Sequence, residues 1–415
     1  MVETLVERAA GLDVHKDSVA ACVRLPGKRR GSRRVERASF RTTTGGLLAL
    51  RDWLAGWGVT RVAMEATGVY WKPVWYVLEG EFELLLCNAQ HVKRVPGRKT
   101  DVSDAQWLAQ LLEHGLLRAS FVPPPPIREL RDLTRYRKTL VQERSREAQR
   151  LDKVLQDAGI KLSSVASDLL GVSARAMLQA LVAGDRDPDA LAQLAKTQLR
   201  RKLPALREAL TGRFSGHHAL LVSETLAHIE YLEQAIERLS HEIEAKIAPF
   251  EPQIALLTTI PGVERTTAEV VLAEIGPDMS RFADHRQLAS WAKLCPGSNE
   301  SAGKQRSGRT GKGPVWLRSA LIQSAKAASR SRGTYLSAQY ARLRGRRGHE
   351  KATIAVAHSI LVSIYYVLAR GEPYNELSDR YFLDRRNIDA YRRRLVRQLE
   401  RLGHKVTLEP LPEAA

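Results

Sequence analysis

Four consecutive prolines, Pro123–Pro126, interrupt this chain and constrain its fold more than any other feature. Proline has a fixed φ angle and no backbone N–H, so such a run cannot continue a helix or a central strand. It predicts a stiff, extended spacer between two parts of the protein. Because 415 residues also exceed the size of most single hydrophobic cores, we expect several domains. The predicted domains are residues 1–122, 123–250, 251–345 and 346–415.

Residues before the prolines alternate between strand-like and helix-like patterns. The segment Arg8–Val23 has two apolar runs separated by the polar residues His15–Asp17, which predicts a β-hairpin. A third strand is followed by alternating helices and strands, which predicts a mixed sheet with crossover helices. This is the element order of ribonuclease-H-like domains. The further predicted elements are strand Val35–Thr42, helix Leu47–Trp57, strand Thr60–Glu65, helix Tyr70–Glu79, strand Phe82–Asn88 and helix Val102–His114.

Residues after the prolines are predicted to be mainly helical. Apolar residues recur at three- and four-residue steps in Ile127–Leu162 and Leu226–Ile247. This spacing indicates two long helices able to pair as a coiled coil, within the chain or between chains. The Ala/Leu-rich stretch 163–216 between them is also predicted to be helical. From Ile254, the sequence LLTTIPGVERTTAEVVLAEIG predicts two helices around a Pro-Gly turn. It resembles a helix-hairpin-helix, and an ordinary helical hairpin fits equally well.

Basic residues outnumber acidic residues by 65 to 46, which gives a net charge of +19 and a pI near 10. Such a field favours a polyanionic partner, with nucleic acid as the first candidate. A membrane surface is the competing partner, but we identify no signal peptide and no apolar run of about 18 residues. The cysteines Cys22, Cys87 and Cys295 lack metal-ligand spacing and predict buried thiols in a reducing cytoplasm. The alternative explanation of the excess positive charge is a basic protein whose charged surface serves only its solubility.

Four carboxylates fall where the predicted elements begin or end. Asp13 lies near the end of the first strand and Glu65 ends the fourth strand, and these two strands can be neighbours. Asp101 and Asp104 stand three residues apart at the predicted start of the last helix, so both are expected on one face of it. Converging carboxylates repel one another unless cations compensate, which predicts a site for two Mg²⁺ ions, with Mn²⁺ as a substitute. Taken alone, each carboxylate would be an ordinary cap.

Three motifs in this region look like those of a known family. They are DVHKD at Asp13–Asp17, MEATGVY at Met64–Tyr70 and KTDVSDA at Lys99–Ala105. Together they resemble the DEDD transposases of bacterial insertion sequences, whose N-terminal domain is similar to Holliday-junction resolvases of the RuvC type. The resemblance covers both ends of the chain and is weaker in the helical middle. It implies that the four carboxylates form an acidic tetrad; His15 and Lys16 are interpreted as an exposed turn outside the site.

A second block, LCPGSNESAGKQRSGRTGKGPVWLRSALIQSA, joins a loop rich in Gly, Ser, Lys and Arg to a helix beginning near Val315. Such a loop can approach a phosphate closely, although it lacks the Walker pattern of nucleotide-binding loops. The family resemblance implies that Ser301 is a nucleophile in a composite site shared between subunits; Ser298 and Ser307 stay open as alternatives. The predicted phosphate contacts are Lys99, Arg306, Arg309, Lys312 and Arg318.

The resemblance also implies a function. A transposase of this kind would cleave and rejoin DNA as a homo-oligomer, dimer or tetramer, and would be guided by a noncoding bridge RNA encoded by the element. A hydrolytic junction-resolving nuclease that uses only the four carboxylates is the first alternative. A noncatalytic nucleic-acid-binding scaffold is the second. The basic segment Arg380–Lys405 is predicted to be a helix that either contacts nucleic acid or stays solvated.

Overall fold

The computed structural model describes residues 5–29, 31–66, 68–89, 92, 95, 103–296, 299–301, 304–307, 310–311, 313–384 and 388–408. The chain divides into two compact units, Met1–Val122 and Pro123–Ala415. The predicted boundaries within the second unit, at residues 250 and 345, stay predictions.

The N-terminal unit is built on a five-stranded sheet with strand order β3-β2-β1-β4-β5. The first two strands form the predicted antiparallel hairpin, and β1 pairs with β4 in parallel. The predicted mixed sheet is therefore confirmed. Its elements are β1 (Ala9–Val14), β2 (Ser18–Pro26), β3 (Arg33–Arg41), α1 (Thr44–Gly56), β4 (Arg61–Glu65), α2 (Trp71–Leu78), β5 (Glu83–Cys87) and α3 (Asp104–Glu113).

The two faces of this sheet are covered by different helices. On one face, Leu12 and Met64 pack in a cluster with residues of α1 and α2. On the other face, Ala9 and Ala63 pack against the apolar side of α3, which includes Leu108. Side chains alternate between the faces of a strand, so β1 and β4 are buried on both sides. Burial on both faces explains their nearly continuous apolar sequences.

Two long helices dominate the second unit, α4 (Pro125–Asp157) and α9 (Gly216–Ile247). They run antiparallel and pack against each other within the chain. Side-chain contacts at the two ends show this orientation, because Lys246 contacts Glu129 at 2.9 Å at one end and His218 contacts Asp157 at 3.0 Å at the other. The pairing predicted from the apolar spacing is thus made inside one chain.

Only part of the proline run acts as the predicted spacer. Pro124 is the N-cap of α4, and the helix itself begins at Pro125. The first N–H groups of a helix have no partner inside the helix, so proline costs nothing there and its φ angle already suits the helix. Prolines 125 and 126 therefore start a helix instead of extending a linker.

Short helices between α4 and α9 enclose a separate apolar cluster at one end of the helix pair. This cluster joins Leu151 and Leu155 of α4 to Val222 and Ile229 of α9. The prediction that residues 163–216 are helical is confirmed in outline. The short helices are α5 (Leu162–Val165), α6 (Val172–Ala183), α7 (Pro188–Gln193) and α8 (Leu203–Leu210).

The remainder of the second unit is a largely helical body around α15 (His349–Arg370). Our expectation of no apolar run long enough to span a bilayer was wrong, because α15 is long and apolar enough by length and composition. Its residues Val356, Ile360 and Ile364 are buried in the core of this body, which accounts for the composition. The other elements are α10 (Glu251–Leu257), α11 (Arg265–Ile275), α12 (His285–Trp291), β6 (Asn299–Ser301), β7 (Lys304–Ser307), α13 (Val315–Ala328), α14 (Tyr335–Arg347), α16 (Tyr381–Asp384) and α17 (Ile388–Arg401).

The predicted Pro-Gly turn joins α10 to α11 and packs against α13. Gly262 has a φ angle of +81°, and a Cβ atom there would lie 2.4 Å from the carbonyl oxygen of Ser324. Both the left-handed backbone and the close approach require glycine. The turn therefore has a packing role, whichever of the two predicted motifs it represents.

Arginines of α4 hold the C-terminal end of α11. Arg135 forms a two-point contact with Glu274, at 2.7 and 2.8 Å. Arg131 donates to the backbone carbonyls of Ala273 and Glu274 at 2.9 and 2.6 Å. Glu274 is 1% exposed, so these arginines take the place of water around its carboxylate. A paired carboxylate of this kind is costly to leave unpaired.

We expect Arg135→Ala to destabilise the second unit by about 1–3 kcal/mol, because the buried Glu274 loses two charged hydrogen bonds and keeps only the Arg131 guanidinium at 3.9 Å. The free energy of unfolding in urea, followed by circular dichroism, measures this effect. Lys246→Ala is the matched control, because its partner Glu129 is 62% exposed and surface pairs contribute little. Equal stability of the two variants would contradict the assignment.

Candidate active site

Two acidic residues stand side by side at the ends of neighbouring parallel strands. The last paired positions of β1 and β4 are Leu12 and Met64. Asp13 and Glu65 are the next residues on these strands, and neighbouring strands lie about 4.8 Å apart. Both side chains are partly buried. The structure therefore brings together two of the four predicted carboxylates.

Both carboxylates lie on the α3 face of the sheet. Asp13 follows Ala9 by four residues and Glu65 follows Ala63 by two, and these alanines pack against α3. Because side chains alternate, residues an even number apart share a face. Burial and the nearby Glu65 carboxylate raise the pKa of the Cys87 thiol to about 12. Cys87 is the register partner of Glu65 on β5, so the charge acts across one strand spacing.

Helix α3 packs on this face, and its first residue is the predicted carboxylate Asp104, which is exposed. A Cβ atom at Gly11 would lie 2.1 Å from the carbonyl oxygen of Ala105 and 2.4 Å from the backbone nitrogen of Ala109. Only glycine allows the helix backbone to approach β1 so closely. Asp104 is in the first turn of α3, one residue before Ala105. The close contact therefore places the start of α3 beside the strand that carries Asp13.

The predicted start of this helix was wrong. Ser103 is the N-cap, with an extended backbone, and its hydroxyl accepts a hydrogen bond from the backbone N–H of Gln106 at 3.3 Å. Asp104 is therefore the first residue of α3, two positions later than the predicted start at Val102. Asp101 and Lys99 lie outside the described residues.

His15 is a residue of this site that the sequence interpretation left out. Its Nε2 atom lies 3.2 Å from Oδ2 of Asp13. The ring is 62% exposed, in agreement with the predicted turn. The sequence did offer a signal for this contact. His15 follows Asp13 by two residues, and the chain reverses here between β1 and β2.

Ser301 lies on a strand rather than in the predicted loop. It ends β6 and pairs with Lys304 of β7 in a small antiparallel hairpin, in which Asn299 pairs with Ser307. Arg306 lies on β7. The side chains of this hairpin, and all of Ser298, Arg309 and Lys312, lie outside the described part of the chain.

Arg318 on α13 holds the segment that follows the hairpin. Its guanidinium donates to the carbonyl oxygen of Lys293 and to the hydroxyl of Thr310, both at 2.8 Å. A Cβ atom at Gly313 would lie 2.2 Å from the carbonyl oxygen of Ala292. These contacts give Arg318 a positioning role in addition to the predicted phosphate contact, which stays a prediction.

A further group of potential metal ligands lies at one end of the α4–α9 pair. The ligand atoms of Asp157, His217 and His218 lie within 4.8 Å of one another. However, Nδ1 of His218 accepts a hydrogen bond from the backbone N–H of Ser215 at 3.2 Å. Nε2 then carries the proton and donates to Asp157. This group is therefore accounted for as a helix cap.

Two family models match the chain. One, described as a transposase of the DEDD_Tnp_IS110 type, matches residues 10–160. The other, described as a transposase of the IS116/IS110/IS902 family, matches residues 254–341. Together they cover more than half of the chain. No curated protein matches it.

The chain belongs to the IS110 family of DEDD transposases. Membership implies that it binds DNA and cleaves and rejoins it. The first matched segment of this IS110 transposase contains Asp13, Glu65 and Asp104, and the second contains Ser301 and Arg318. Both candidate site regions thus lie within matched segments.

The donor chemistry of the N-terminal site suits a hard cation. DEDD transposases are typically metal-dependent, and carboxylate oxygens are the ligands that Mg²⁺ prefers. Asp13 and Glu65 on adjacent strands, with Asp104 on the same face, offer such oxygens from three backbone segments. The residues present therefore fit a site for a hard divalent cation.

We expect Gly11→Ala to abolish DNA cleavage by this IS110 transposase, because the added methyl group displaces α3 and with it Asp104. Overpacking of this kind costs about 1–3 kcal/mol, so the fold should survive in part. Gly56→Ala is the matched control, since a Cβ atom there meets nothing within 4 Å. Cleavage assays paired with thermal unfolding measure both effects. Full activity of Gly11→Ala would contradict the close packing.

Proposed function

We propose that this transposase is a metal-dependent recombinase whose N-terminal unit is a ribonuclease-H-like domain of the RuvC type. Asp13, Glu65, Asp101 and Asp104 would hold two Mg²⁺ ions, which Mn²⁺ could replace. The adjacent ends of β1 and β4, facing the start of α3, are the observation that carries this proposal. When bound, such ions activate an attacking oxygen and stabilise a leaving oxygen in phosphoryl transfer.

The chain's own residues position this site. Gly11 sets the distance between α3 and β1, and the N-cap Ser103 fixes where the helix begins. His15 hydrogen-bonds to Asp13 and so restrains its carboxylate. Lys99, next to the acid-bearing segment, would contact a DNA phosphate.

Ser301 is the proposed nucleophile. Its Oγ atom would attack the phosphorus of a DNA phosphodiester, forming an Oγ–P bond while the bond to the leaving deoxyribose oxygen breaks. The serine proton passes to a base and the leaving oxygen gains a proton. Attack by the hydroxyl of another strand then reverses these steps and rejoins the DNA. Arg306, Arg309, Lys312 and Arg318 are proposed to contact phosphates around this serine.

The proposal includes a composite site and a guide. The acidic tetrad and Ser301 would come from different subunits of a homo-oligomer, a dimer or a tetramer, in which each reaction needs both. A noncoding RNA encoded by the element would select the DNA sequences. The net charge of +19 supports binding of nucleic acid.

We expect a covalent protein–DNA adduct that depends on Ser301. Purified protein, co-expressed flanking RNA, Mg²⁺ and labelled element-end DNA are combined and separated on a denaturing gel. The wild type should give a protease-sensitive shifted band, which Ser301→Ala should lose because it lacks the attacking oxygen.

Ser307→Ala, on the opposite strand of the same hairpin, is the matched control and should keep the adduct. Loss of the adduct in Ser307→Ala alone would move the nucleophile to that residue. Cleaved DNA from every variant without any adduct would instead favour hydrolysis.

Asp13→Asn should remove Mn²⁺ binding by the isolated protein, because a neutral amide replaces one of the negatively charged carboxylate ligands. Isothermal titration calorimetry measures this directly and needs no DNA. Asp52→Asn is the control, since Asp52 is a 67% exposed carboxylate of α1 in the same unit. Unchanged Mn²⁺ binding by Asp13→Asn would refute the metal site while leaving Ser301 untouched.

A further inference from the structure

Helices α14 and α17 form the sides of an open groove with a volume of about 380 Å³. Arg342 and Arg346 of α14 line one side. The other side is lined by residues of α17, namely Tyr391, Arg394, Leu395 and Gln398. The groove lies wholly within the second unit, and none of its lining residues belongs to the candidate active site.

The spacing of these residues shows that each helix presents one continuous face. Arg342 and Arg346 are four residues apart, and the α17 residues follow Tyr391 by three, four and seven positions. Such intervals place side chains on one side of a helix. The two arginines of α14 are separated by about 6 Å along the helix axis. This separation suits an extended chain of charges better than a single ion.

Positive charge predominates among the described residues that line the groove. Arg342 and Arg346 lie across from Arg394, and no carboxylate is among the described residues that line the groove. Arg342 stacks on the ring of Phe382, with its guanidinium carbon 4.2 Å from the ring centroid, which keeps the charge in place. Facing cations repel one another, so an anion between them would stabilise the arrangement.

The groove also lies beyond both matched segments. The second family match ends at residue 341, one residue before Arg342. The groove is therefore a feature of this chain for which the family models give no account. Further basic residues lie beside the groove, since the last turn of α14 contains Arg344, Arg346 and Arg347.

We propose that this groove binds the phosphodiester backbone of a nucleic acid. Arginines from both helices would contact successive phosphates, while Tyr391 and Leu395 offer apolar surface to sugars or bases. The inference goes beyond the proposed function and does not depend on the metal site or on Ser301. It gives the C-terminal basic segment a defined binding surface.

The test measures binding by the full-length protein in EDTA, so that cleavage does not interfere. A labelled DNA duplex and a labelled single-stranded RNA are titrated at several salt concentrations. The variant Arg346→Gln/Arg394→Gln should bind more weakly. For duplex DNA, the slope of log affinity against log salt should fall by about 0.9 for each phosphate that the variant no longer neutralises.

Arg200→Gln/Arg201→Gln is the matched control, because it removes the same charge from two exposed arginines outside the groove. It should keep the wild-type slope. Equally weakened binding in both variants would show that only net charge matters and would overturn the proposal. Unchanged binding of both nucleic acids by the groove variant would also overturn it.

The two probes identify the source of the phosphates. Weaker binding of the duplex alone assigns the groove to DNA, and weaker binding of the single strand alone assigns it to RNA. Arg346→Lys/Arg394→Lys should retain most of the slope, since lysine also binds phosphate as a point charge. Binding is measured in EDTA, where no divalent metal is available and no metal-dependent cleavage occurs. Failure of the recombinase proposal would therefore leave this result unchanged.

Discussion

The close packing of α3 on β1 is the contact on which the candidate site depends. The backbone of α3 occupies the space that a Cβ atom at Gly11 would fill. The helix therefore lies closer to the sheet than any other residue at this position would allow. The strands alone bring Asp13 and Glu65 together. Only the helix adds Asp104 to the same face. A local steric requirement at Gly11 thus determines how close the start of α3, with Asp104, lies to the strand that carries Asp13.

The acidic site lies in a protein that is strongly basic overall. A DNA phosphate approaching Asp13 and Glu65 would meet like charge unless cations lie between them. Basic surfaces elsewhere supply attraction for the polyanion, but they do not neutralise this site. In the proposed recombinase, DNA binding and phosphoryl transfer would therefore make opposite electrostatic demands, which separate residues would meet.

Much of the N-terminal fold was predictable because its signals are local. The polar break at His15–Asp17 and the apolar strand ending at Glu65 identify the hairpin and the strand ends directly. The start of α3 was misjudged because the Ser103 cap competes with an acidic residue two positions earlier. The partners of Arg318 could not be predicted, since Lys293 is 25 residues away and no periodic pattern links them. Contacts of this kind are made by tertiary packing.

The long apolar helix α15 is a second case in which the sequence pattern alone does not reveal the tertiary surroundings. By composition alone it could cross a membrane, yet Val356 and Ile360 are buried among the surrounding helices. A helix that is apolar on most sides needs neighbours on most sides, whether they are lipids or protein. The helices around α15 supply them, and they include α13, which carries Arg318. The same core that accounts for the apolar sequence of α15 therefore also supports the segment that follows Ser301.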